Sequence, residues 1–155
     1  MLAEQALTAR MTSIADALSG ASAILDLGCG AGDLLRTRGT LLGEEACCVG
    51  VDLSQDMLAM ARAKLADCPR TYVIQTDVTQ PLPFADDTLD LGASLNLLQE
   101  VSAPTLVLEE ACRILKPGAP FEAWPPAMRG TTRRKWSIKP SPGDTPGISS
   151  LPGRC

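Results

Sequence analysis

The feature that most constrains this chain is a short apolar run, Ala23 to Leu27, ending in Asp26-Leu-Gly28-Cys-Gly30-Ala-Gly32. Bounded by Gly20 and Gly28, the run reads as a strand buried on both faces. The glycines let the backbone turn sharply and let a ligand approach without meeting a Cβ. A helix follows over about 32–42, weakened by Gly39.

Strand and helix signals then alternate. Cys47 to Val51 is a second buried strand; Thr71 to Gln75 is a β-rich third strand, Leu89 to Leu95, tolerating Gly92, a fourth, and Ala119 to Trp124 a fifth. Ser54 is an N-cap with Asp56 in the first turn, and Met57, Leu58, Ala61 and Leu65 recur at helical spacing after it. Ser102 caps a helix to Leu115, with Leu106, Glu110 and Ile114 four apart, and Lys116-Pro-Gly118 stops it. Residues 2–18 read as a further amphipathic helix ended by Ser19-Gly20. Repeated β-α-β units predict an α/β fold with a doubly wound, mostly parallel sheet of about five strands.

Composition removes whole classes of chemistry. The chain has no histidine, which excludes Ser-His-Asp and Cys-His catalysis and the H-E-x-x-H zinc mechanism. Its six cysteines are scattered without a C-x-x-C pair, so no metal site is expected and they read as thiols of a reducing, cytoplasmic compartment. No apolar run approaches the roughly 20 residues of a membrane span. Met1 to Ala9 lacks the basic stretch and apolar block of a secretion signal. Residues 1–115 carry 7 basic and 16 acidic side chains, a net of −9, and residues 116–155 carry 7 and 2, a net of +5. An acidic body argues against a broad nucleic-acid face.

Three acids follow the first three strands. Nicotinamide enzymes use G-x-G-x-x-G and seat a pyrophosphate on the helix N-terminus. Here the spacing is G-x-G-x-G, and Asp26 precedes the first glycine by two. A carboxylate there repels a pyrophosphate but suits a ligand with ammonium and sulfonium charges. Asp52 ends the second strand, 20 residues beyond Gly32, where an acid can accept from both ribose hydroxyls. Asp77 follows the third strand, where an acid can accept from an adenine amino group while the Val78 N–H reaches a ring nitrogen.

With these in order, residues 22–121 resemble the class I (Rossmann-like) methyltransferases that use S-adenosylmethionine, including the ubiquinone/menaquinone C-methyltransferases. The family pattern is D-x-G-C-G-x-G, G-x-D-x-S with M-L after it, D-A/V with L-P-F-x-D, and R-x-L-K-P-G-G. It is matched by Asp26 to Gly32, Gly50 to Leu58, Asp77 to Phe84 and Arg113 to Gly118. The resemblance implies methyl transfer from S-adenosylmethionine to a small-molecule acceptor. It implies that Asp26, Gly28 and Gly30 surround the methionine part, with Gly32 packing the loop against its helix. Asp52 would then hold the ribose, Leu53 the adenine face, and Asp77 with Val78 the adenine edge. Ser94, Leu95 and Asn96 would lie beside the sulfonium and the acceptor.

Departures qualify the match. Leu89 stands for the usual Phe and Ala119 for the second Gly. Gln99 and Glu100 stand where the family often has a histidine or aromatic group; Glu100 reads as an exposed loop acid rather than a general base, so no catalytic residue is assigned. Methyl transfer relies on positioning and an already electrophilic sulfonium, so a missing base does not exclude it. The family continues with a helix and an antiparallel strand pair, which nothing after Trp124 is expected to supply. Eight of the twelve prolines lie in residues 116–155. We therefore expect a core over 1–124 and a disordered Pro-rich basic tail over 125–155, in which Arg133-Arg-Lys-Trp136-Ser137 is a solvated run. Strand five would then be an exposed edge, as in a truncated, alternatively spliced or frame-altered product. The alternatives are a non-catalytic remnant or interaction module and, disfavoured by glycine spacing and Asp77, a nicotinamide-dependent oxidoreductase.

Overall fold

The computed structural model describes residues 23–41, 45–124 and 136–138. The expected helix over 2–18 and most of the expected tail lie outside them. Strands β1 (Ala23–Leu27), β2 (Cys47–Asp52), β3 (Thr71–Gln75), β4 (Leu91–Leu95) and β5 (Phe121–Trp124) are all parallel, and β6 (Trp136–Ile138) runs antiparallel to β5. The order across the sheet is β3-β2-β1-β4-β5-β6. The helices are α1 (Asp33–Leu41), α2 (Gln55–Lys64) and α3 (Pro104–Ile114). This is the doubly wound Rossmann-like arrangement, and its strand order reverses between β1 and β4. A reversal leaves a crevice at the carboxyl ends of those two strands, where ligands of open α/β sheets bind.

The period of two along each strand divides the core. Ile24, Cys48, Leu91 and Ala93 pack on one face with Leu35 of α1 and Leu58 and Ala61 of α2. Leu25, Leu27, Val51, Phe121 and Ala123 pack on the other with Val107, Ala111 and Ile114 of α3. Leu25, Leu27 and Val51 are fully buried, each adding roughly 1.5–3 kcal/mol of apolar burial. Gly92 makes room for this second layer, since a Cβ there would stand 2.5 Å from Phe121 Cδ2.

Four local expectations change. The fourth strand is shorter at its start, because Leu89 forms only an isolated bridge to Leu115, and the fifth begins at Phe121 rather than Ala119. The third helix begins on Ala103 rather than Ser102: Pro104 takes the first helical position, which keeps the residue before it out of the helical region, at φ −133° and ψ 70°. Its buried stripe is Val107, Ala111 and Ile114, whereas Leu106 is exposed and Glu110 lies at the margin. Finally, the edge of β5 is covered. Phe121, Glu122 and Ala123 pair with Ile138, Ser137 and Trp136, so the sheet continues past residue 124 and Trp136 and Ser137 belong to a strand. A three-residue strand is too short for a sequence period to reveal.

Candidate functional site

The residues singled out by sequence gather at the carboxyl ends of β1 to β4. Val51 O accepts from both Gly28 N (2.8 Å) and Cys29 N (3.0 Å), folding the glycine turn over the end of β2. Gly28 and Gly30 have φ of +70° and +51°, which other residues adopt only with strain. A Cβ on Gly28 would meet Leu97, but one on Gly30 would meet nothing within 4 Å. Gly30 therefore borders open space. A Cβ on Gly32 would meet Leu65 and Ala61, so the turn lies close to α2, while Gly32 O accepts from Arg36 N in the first turn of α1. Gly50, adjacent to Asp26 across the ladder, leaves space that Cys29 and Leu35 fill.

Asp26 is 2% exposed, and its Oδ1 has no hydrogen-bond partner. Burial, and then the nearby charge of Asp52, push its carboxyl up to about 8. Burial, with Asp26 and Asp52 behind it, likewise pushes the Cys29 thiol up to about 12, which makes it an inert neutral thiol. An acid this buried with an unused oxygen is costly unless a cation or donor meets it.

Asp52 performs a task that sequence reading missed. Its Oδ2 accepts from Gly30 N and its Oδ1 from Ser54 N, both at 2.9 Å. One carboxylate thus ties the glycine turn to the start of α2, and each oxygen keeps a second lone pair for a ligand hydroxyl. Ser54 caps α2 as expected, its Oγ accepting from Met57 N. Leu53 between them is 66% exposed, an apolar surface at the crevice edge.

Asp77 Oδ1 accepts from Thr79 N (2.9 Å) and Thr79 Oγ1 (2.7 Å). These bonds hold its carboxyl below the ordinary value, keeping it an acceptor. The Val78 side chain is buried against the α3 layer. Ser94 is placed differently: it pairs with Leu27, so its side chain lies on the α3 face, opposite Asp26, with an unpartnered buried Oγ. Asn96, just beyond β4, is exposed and left-handed at φ +60°, its carbonyl accepting from Gln99 Nε2. Glu100 is exposed. Among the described residues no three His, Cys, Asp or Glu side chains are placed to hold a metal ion, and no helix is long and apolar enough to cross a membrane.

Sequence reading also passed over the ion pair of Glu110 and Arg113. Arg113 donates to both Glu110 oxygens, at 2.5 and 2.9 Å, and reaches Leu82 O, Phe84 O and Asp86 Oδ1. The signal was present as an acid and a base three apart on a helix.

Known proteins share this arrangement. The family described as "Methyltransferase domain" matches residues 24–118. A demethylmenaquinone methyltransferase from Shouchella clausii is 36% identical over 104 residues, which is 66% of this chain and 44% of that protein. An S-adenosylmethionine-dependent methyltransferase from Mesorhizobium loti is similar in structure, with a TM-score of 0.64 and 28% identity, over 75% of this chain and 51% of that one. So is the [4+2]-cyclase SpnF, with a TM-score of 0.67 and 25% identity, over 75% and 44%. The chain spans less than half the length of the curated relatives it matches.

Proposed function

The chain belongs to the methyltransferase-domain family, and from that premise we propose that it transfers a methyl group from S-adenosylmethionine to a small-molecule acceptor. The observation that carries the reading is Asp26, a buried carboxylate with an unused oxygen on the strand that feeds an open glycine turn. Such a group favours a ligand whose nearest end is a cation and disfavours a pyrophosphate, which is why the nicotinamide reading falls behind.

In this reading Asp26, Gly28 and Gly30 receive the methionine end, and Asp52 receives the ribose hydroxyls while anchoring the turn. Leu53 offers its exposed side chain to the adenine face, and Asp77 and Val78 take the adenine edge. Ser94 contributes through its backbone at the mouth, since its side chain lies on the other face. When bound, S-adenosylmethionine supplies a methyl group already activated on a positively charged sulfur. What remains for the protein is to hold the acceptor in line and keep water out. The demethylmenaquinone of the Shouchella clausii relative's name is the first acceptor to assay. The five described cysteines are free thiols, which supports a reducing, cytoplasmic location.

A second reading is binding without methyl transfer. It is favoured by the segment after β4, where Asn96, Gln99 and Glu100 are exposed and none is set as a base, and by the likeness to a [4+2]-cyclase. Calorimetry with S-adenosylhomocysteine and with NAD separates the cases. Binding of the first alone supports the proposal, NAD binding reverses it, and binding of neither leaves a non-catalytic remnant or interaction module. Transfer of a labelled methyl group then divides turnover from binding.

A further inference from the structure

The loop from Thr76 to Asp90 joins β3 to β4 and belongs to neither strand, so its position must come from elsewhere. Its first residues are locally stiff: Gln80 N donates to Asp77 O, Thr79 closes on Asp77 Oδ1, and Pro81 has a fixed φ. The next residue, Leu82, is gripped on both sides of its backbone. Its N–H donates to Glu110 Oε1 at 2.6 Å, and its carbonyl accepts from Arg113 Nη2 at 3.2 Å. Arg113 also takes the carbonyl of Phe84 (2.9 Å) and the Asp86 carboxylate (2.6 Å). The Glu110 side chain is only 13% exposed, so these charge-assisted bonds are partly shielded from water. Val78 and Leu82 are both buried in the layer that α3 forms.

We propose that Glu110, locked by Arg113, is a positioning residue for the adenine subsite: through Leu82 it sets where Asp77 and the Val78 N–H stand. The pair touches no ligand itself. From Leu82 it acts four residues back on Val78 and five back on Asp77, through a proline and a closed turn that transmit its position. Helix α3 thereby governs base recognition on a loop it does not contain. This rests on the methyltransferase reading, since it supposes that Asp77 meets the adenine amino group.

The test compares the binding of S-adenosylhomocysteine with that of its 6-oxo (inosine) counterpart, in which the amino donor is replaced by an acceptor that Asp77 cannot use. The wild-type chain should prefer the adenine form by about 100-fold, near the upper end of what leaving one hydrogen-bonding group unpaired costs. Glu110→Gln, which keeps size but breaks the fork, should reduce that preference at least about fivefold, equivalent to about 1 kcal/mol. Arg113→Lys removes the fork from the other side and should do the same; it carries the test if Glu110→Gln does not fold. A merely structural pair would lower Tm and weaken both ligands equally, and an unchanged preference in a folded variant overturns the inference alone. Failure of the wild-type chain to bind S-adenosylhomocysteine overturns the methyltransferase reading, and the inference with it.

Discussion

Replacing Asp26 by Asn should stabilise this protein, and by an amount that depends on pH. The substitution is nearly isosteric and removes a charge whose Oδ1 has no partner. In the folded chain the carboxyl is raised from 3.8 to about 8, by burial first and Asp52 second. The folded state therefore holds a proton that the unfolded state releases between those values. Stability from this group is full below pH 3.8, is lost as pH rises, and is gone above pH 8. About four units at 1.36 kcal/mol each put the whole loss at about 6 kcal/mol at most. Water entry and relaxation around a buried ion reduce that figure, and we expect about 2–4 kcal/mol by pH 8. Cys29 beside it remains a neutral thiol over the whole range. Urea unfolding of both proteins, followed by circular dichroism at intervals from pH 5 to pH 8, reads the difference directly. The advantage of Asp26→Asn should grow with pH and be smallest at pH 5. A difference that stays constant across the range, or a less stable variant at pH 8, refutes the reasoning that Asp26 is a buried, unpaired acid.

The same acid should make ligand binding pH-dependent: the affinity of the wild-type chain for S-adenosylhomocysteine should rise as pH approaches 8, and that of Asp26→Asn should be flat in calorimetry. Asp52→Ala removes the acceptor of Gly30 N and Ser54 N and should weaken that ligand by about 1–3 kcal/mol; equal affinities would show that the carboxylate does not build the site. Gly30→Ala adds a Cβ in open space at φ +51°, so it should cost about 1–2 kcal/mol of stability yet weaken ligand binding at least tenfold, an outcome that melting curves and calorimetry together distinguish from simple unfolding. Gly92→Ala drives a Cβ to 2.5 Å from Phe121 and should destabilise by about 1–3 kcal/mol, with the ligand affinity of the remaining folded protein little changed.

Much of the fold was legible because its signals are local. The buried run at Ala23–Leu27 and the β-rich run at Thr71–Gln75 are strands over the spans that their composition predicts, and Ser54 caps α2 through its own hydroxyl. Where two local signals competed, the weaker was overread. Ser102 is a good capping residue, but Pro104 dictates the start of α3, and the four-residue spacing of Leu106, Glu110 and Ile114 tracks a line that drifts off the buried face. The strand at Trp136–Ile138 was illegible for a different reason. Three residues among prolines and basic side chains carry no period, and they become a strand only because β5 presents an edge to pair with.

The site divides in the same way. Sequence alone determined the parallel, doubly wound class of sheet and the placing of Asp26, Asp52 and Asp77 at successive strand ends, because in such a fold each strand's carboxyl end faces one crevice; the strand order itself came from the ladders. Tertiary structure decided what each group does there. It buries Asp26 without a partner, occupies Asp52 with the turn it supports, and turns Ser94 to the opposite face by the parity of its strand. It also lets α3 grip Leu82, through bonds 28 and 31 residues apart in the chain. Burial and long-range hydrogen bonds depend on what lies across space, and a linear pattern records only what lies along the chain.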